Sequence, residues 1–132
     1  MPGDQDANIK LLYATDENSF FTADTVANGA AFDVVANVEI GRDLRRVVTK
    51  EDLFVAVVNR SRATAFPQLV LSNIFVPADE QDPLNQELRV KVNPGWSAAE
   101  GDVLQIIATY KVTAGVFTDY STATSADVIV SA

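Results

Sequence analysis

Two side chains are missing from this chain altogether: none of its 132 residues is histidine and none is cysteine. Without histidine it lacks the commonest general base near neutral pH, the commonest transition-metal ligand and the usual activator of a nucleophilic serine. Without cysteine it has no disulfide framework and no thiol nucleophile, and the redox compartment leaves no mark on the sequence. Basic residues are few, ten against eighteen acids, for a net charge of −8. That balance argues against a nucleic-acid partner, whose phosphates need a positive face, and disfavours anionic membrane surfaces. No apolar run approaches the roughly 20 residues that span a bilayer, so no membrane insertion is expected. Residues 1–6 are polar and acidic and show no signal-peptide pattern. There is no Gly-x-Ser-x-Gly elbow and no glycine-rich phosphate loop. The expectation is a chain without catalytic residues and without a cofactor.

What the chain does have is apolar content, 48% of its residues, above the range in which a sequence cannot offset its ordering entropy. At this length, roughly 65–70% of the unfolded chain's surface is buried on folding, so residues 1–132 are read as a single domain.

The pattern of those apolar residues has period two. Phe32, Val34, Ala36, Val38 and Ile40 share one face and Asp33, Val35, Asn37 and Glu39 the other, which predicts a half-buried strand closed by Gly41. Residues 9–13 predict a short strand, and Phe20-Phe21 a brief one before the turn pair Asn28-Gly29. Residues 53–58 are apolar on both faces, as in a central strand. Residues 68–76 lie between Pro67 and Pro77, which cannot enter a central ladder. Leu88, Val90 and Val92 alternate with Glu87, Arg89 and Lys91 up to the turn Asn93-Pro94-Gly95. Leu104, Ile106, Ala108, Tyr110 and Val112 share a face until Gly115, and residues 120–130 supply one or two more strands. Only residues 43–52 leave room for a helix, with Thr49 and Asp52 as a capping pair. The fold class predicted is an all-β antiparallel sandwich of about 7–9 strands with at most one short helical turn.

The stretch Glu100-Gly101-Asp102-Val103-Leu104-Gln105-Ile106-Ile107-Ala108-Thr109-Tyr110 resembles the acidic turn and tyrosine-bearing strand near the end of immunoglobulin-like domains. Tyr120-Ser121 and residues 125–130 look like the last strand of such a module. Asn28-Gly29 leading into residues 32–40 is similar to the turn and strand with which bacterial immunoglobulin-like domains build their first sheet. The cysteine pair is absent, Trp96 sits in a late loop and Tyr110 lies well inside its strand. The resemblance implies a fold and no activity.

Several groups carry candidate chemistry. Asp79-Glu80 with Asp82, or Glu100 with Asp102, supply paired carboxylates, but in turns beside proline or glycine, where acids serve turn chemistry. Asp16, Glu17 and Asn18 would join Asp79, Glu80 and Asp82 in a calcium site if the two loops shared one end of the sandwich. Asn59-Arg60-Ser61 fits a glycosylation acceptor. Trp96 and Tyr120 are candidates for stacking on a sugar, against the alternative that each packs over the core.

Charge is segregated. Residues 1–41 hold one base and seven acids, residues 42–62 six bases and three acids, and residues 63–132 three bases and eight acids. Arg42, Arg45, Arg46, Lys50, Arg60 and Arg62 are therefore the candidate partner-binding residues, against the alternative that they pair within the fold. The function expected is a non-catalytic structural or interaction module that self-associates head to tail in a surface layer, filament, virion or secreted assembly. The alternative is a carbohydrate- or calcium-dependent binding module. An extracellular, cell-surface or virion setting goes with the assembly reading.

Overall fold

Period-two alternation converts most of the chain into strands, and glycines with positive φ (Gly29, Gly95, Gly101 and Gly115) stand at turns between them. The computed structural model describes residues 7–76 and 82–132. In chain order these form β1 (Ala7–Asp16), β2 (Thr25–Ala27), β3 (Phe32–Ile40), α1 (Arg42–Arg45), β4 (Lys50–Asn59), β5 (Thr64–Ala65) and β6 (Leu69–Ile74). They continue as β7 (Leu84–Val92), β8 (Val103–Ala114), β9 (Phe117–Thr124) and β10 (Val128–Ser131).

The strands make a sandwich of two sheets. One has the order β1-β3-β7. The other is centred on β8 and β4, which pair over ten residues from Asn59↔Leu104 to Lys50↔Thr113. β6 and the two-residue β5 continue it beyond β4, and β10 and β9 flank β8, with β2 outside β10. Every pairing is antiparallel except β2 with β10. The N-terminal segment thus lays β1 in one sheet and β2 in the other.

Inward residues from both sheets form one apolar cluster among the described residues. Phe32, Val34, Ala36, Val38 and Ile40 of β3 meet Leu53, Val55 and Val57 of β4 and Leu104, Ile106, Ala108 and Val112 of β8. β1 carries a bulge between Ile9 and Leu11. The extra residue changes the side-chain parity, so Ile9 and Leu12 both pack on the core while Leu11 faces out. The outer edge of β1 is not left open. Its Ala7 and Ile9 amides donate to Asp119 Oδ2 (2.8 Å) and Ser121 Oγ (3.2 Å) of β9, which blunts an exposed strand edge.

Three local expectations are corrected. The helix is the single turn expected, but Thr49 and Asp52 do not cap it, because residues from Lys50 onward pair with β6 and β8. Phe20-Phe21 is not a strand: both rings face solvent, and only Thr22 bridges Thr15. The outer face of β3 is not half-exposed, since Asp33 and Val35 are both buried. The cause is Arg89. Its guanidinium donates to Asp33 Oδ2 (2.8 Å), Thr15 Oγ1 (3.1 Å) and the Ser19 carbonyl (2.8 Å), drawing residues 17–22 over that face.

Candidate functional site

The six bases singled out from the sequence do not form one patch. Arg42 and Arg45 lie on α1, Arg46 follows it and Lys50 opens β4, all at one end of the sandwich. Arg60 and Arg62 follow the other end of β4, ten residues away, roughly 33 Å at strand rise. Several of them engage partners of the same fold. Arg42 pairs with Asp43 (3.8 Å), Lys50 with Asp52 (3.7 Å) and Arg60 with Asp127 (3.2 Å), while Arg45 donates to the Asp82 carbonyl (3.1 Å).

Arg62 serves a turn. Its Nε donates to Asp102 Oδ2 at 2.7 Å, and the same oxygen accepts from the Ala99 amide (2.9 Å) and Asn59 Nδ2 (2.9 Å). Those donors, led by the Ala99 amide, hold the Asp102 carboxyl down at about 2. A carboxylate so bonded fixes the β4 and β8 ends, and it lacks the raised pKa that a glycosidase acid needs. Asn59 is itself buried, with its carbonyl oxygen accepting from the Ser61 and Arg62 amides. The glycosylation tripeptide is therefore consumed in folding.

The acidic loops are not brought together either. Asp16, Glu17 and Asn18 follow β1 at the end where β3 begins, whereas Asp82 precedes β7 at the end where β3 finishes. Asp79 and Glu80 lie outside the described residues. Among the described residues, no group of three acids could hold a metal ion.

Trp96 and Tyr120 sit apart. Trp96 is half-buried, its Nε1 donates to the Ala30 carbonyl (2.8 Å), and its ring packs on Phe66 (5.2 Å) and edge-on to Phe32 (6.0 Å). It closes the end of the core and flanks an apolar recess of about 350 Å³. Tyr120 projects from β9 and is exposed, with the Lys111 ammonium 6.0 Å from its ring centre. No stacking platform joins the two.

One polar group in the core had no sequence signal. Glu51, on the inward face of β4, is buried and accepts from the Tyr110 hydroxyl (2.5 Å) and from Asn73 Nδ2 (2.9 Å). With its amide turned to donate, Gln86 of the opposite sheet reaches the same carboxylate at 2.9 Å and 3.1 Å. Burial, then the bond to Glu51, push the Tyr110 phenol well above its ordinary value. Glu51 and Tyr110 are buried while Asn73 is exposed and Gln86 half-buried, and the cluster bridges the two sheets and ties them together.

The exposed apolar residues are the surface that sequence reasoning missed. Val47, Ile74, Val76, Val116 and Phe117 are all exposed, Val116 completely, at the α1 end of the larger sheet. The register divides them: Ile74 shares the outward face of Lys50 and Thr113, whereas Phe117 shares the opposite face with Ala114, beside Val47. Asp43, Leu44, Val47, Ala114 and Phe117 enclose a shallow depression of about 410 Å³ there. Arg42, Arg45 and Arg46 are the chain neighbours of Asp43, Leu44 and Val47, which line it. Val116-Phe117 directly after Gly115 was the available signal, since a hairpin tip with two large apolar residues has no core to fill.

No protein-family model matches the chain, and no curated protein matches it.

Proposed function

We propose that this chain is a non-catalytic structural module, an immunoglobulin-like sandwich that self-associates. The fold part is supported by strand order. β1-β3-β7 faces β6-β4-β8-β9, with the last strand's continuation β10 beside β8, as the A-B-E and C′-C-F-G strands face each other in immunoglobulin-like sandwiches. The assembly part is carried by one observation, the exposed Val47, Val116 and Phe117 around an open depression at the α1 end. Soluble monomers rarely leave such a group uncovered, and a charged rim around an apolar centre is how protein interfaces are built. The neighbouring arginines on a chain of net charge −8 select acidic surfaces, and this chain's own surface is acidic. The setting that suits such a module is a repeating layer, filament, virion or secreted assembly.

Sedimentation of the native chain over a range of concentration, at low and high salt, tests this. The expected result is a concentration-dependent rise in mass that high salt weakens. A monomer at every concentration and both salts would overturn the reading.

A further inference from the structure

We propose that the α1-end patch receives the Phe20-Phe21 loop of a second copy, so that copies join head to tail. This rests on the self-association reading and names the surface that completes it. Phe20 and Phe21 are 83% and 80% exposed, yet the loop that carries them is anchored on both sides. Ser19 donates its amide to the Asp16 carbonyl (2.9 Å), Asn18 to Asp33 Oδ2 (3.0 Å), and Ala23 to the Ala14 carbonyl (2.8 Å). Arg89 holds the Ser19 carbonyl from below and lies 6.0 Å from the Phe20 ring. Two adjacent rings are thus presented to water on a tied backbone, which lowers the ordering cost of docking.

Charge chooses the partner. From Leu11 to Gly41 the chain has no base; Lys91 pairs with Glu17 and Arg89 with Asp33, which leaves Asp16 and Asp24 as the exposed acids flanking the rings. The receiving end has four bases to one acid between Arg42 and Lys50. Two α1 ends meeting each other would set like charges together, at a cost that disfavours a closed symmetric dimer. The loop and the depression are different surfaces near opposite ends of the sandwich. A contact between them leaves one of each free on every pair, and it therefore propagates into a chain or closes into a ring.

Two exposed-site variants test the docking by complementation. Phe20→Ser/Phe21→Ser removes the inserted rings, and Val116→Ser/Phe117→Ser removes the receiving surface. Each alone should fold, with an unchanged melting temperature, and associate at least roughly tenfold more weakly than the parent. Mixed, they should give a discrete two-copy species and nothing larger, because the mixture holds one intact loop and one intact receiver. Arg46→Glu should weaken the parent assembly, and adding Asp16→Arg should restore it. If the parent assembles and the Phe20→Ser/Phe21→Ser variant assembles equally well, or if the mixture stays monomeric, the docking is wrong while self-association stands. A parent that never leaves the monomer removes both.

Discussion

The Tyr110 hydroxyl donates to Glu51 Oε1 at 2.5 Å, between two sheets whose facing residues are otherwise almost all apolar. Truncating the phenol leaves a buried carboxylate with one donor fewer. Tyr110→Phe should lower unfolding stability by about 2 kcal/mol, the cost of stranding a buried polar partner. The phenol also has a pH signature. Its pKa is raised in the folded state, so its contribution is complete below the ordinary value near 10 and declines as pH rises above it. Urea titrations at neutral pH and at alkaline pH should show the parent losing stability in that window, with a shallower loss in Tyr110→Phe.

Arg89 holds the 17–22 segment against the outer face of β3 through Asp33, Thr15 and Ser19. Arg89→Ala leaves the Asp33 carboxylate buried without its cation and should cost roughly 3 kcal/mol. Arg89→Lys keeps the charge and loses the fork that spans three acceptors, so it should recover only part of that loss. Amide exchange at Asn18, which donates to Asp33, reports the loop directly. It should quicken in both variants, more in the alanine.

Two turns should respond to substitution with opposite signs. Gly29 has φ +80°, and a Cβ there would lie 3.1 Å from the Trp96 carbonyl oxygen, which the loop cannot yield while Gly95 donates to the Gly29 carbonyl. Gly29→Ala should destabilise by about 1–2 kcal/mol. Ala63 has φ +55° in the β4–β5 turn, an alanine where glycine is favoured. Ala63→Gly should therefore raise stability, by up to about 1 kcal/mol, as read from thermal melts.

Much of the fold was legible because alternation and turn chemistry act locally. β3 matches the reading at both ends, since its period-two run is bounded by a turn glycine on one side and Gly41 on the other. What was not legible depended on residues distant in sequence. Nothing beside Asp33 and Val35 says that Arg89, more than fifty residues later, will pull residues 17–22 over them. The basic stretch misled for a related reason: its middle is a ten-residue strand, so neighbours along the chain become opposite ends in space. Glu51 was silent because the acid pair Glu51-Asp52 falls in the one stretch that left room for a helix, and only the partners from β6, β7 and β8 make it a core residue. The exposed Phe20-Phe21 was read as strand because aromatic pairs favour strands, while the deciding factor was that no core position was left to receive them.

Asp102 gives the sharpest dependence on acid. Its folded pKa is about 2 against an ordinary value of 3.8. Above roughly pH 4 the group is charged in both states, and its stabilisation is fully present. As pH falls from there toward 2, the unfolded chain takes up the proton first, so stability is lost through that window and the contribution is gone below it. Asp102→Asn should be less stable than the parent at pH 6, and the gap should narrow steadily as urea titrations are repeated down to pH 2. Arg62→Ala supplies the contrast. It removes one donor while the Ala99 amide and Asn59 remain, and the amide is the largest cause of the depression. That variant should therefore keep most of the acid-limb slope that Asp102→Asn loses. Equal slopes in the parent and in Asp102→Asn would assign the acid dependence to another carboxylate.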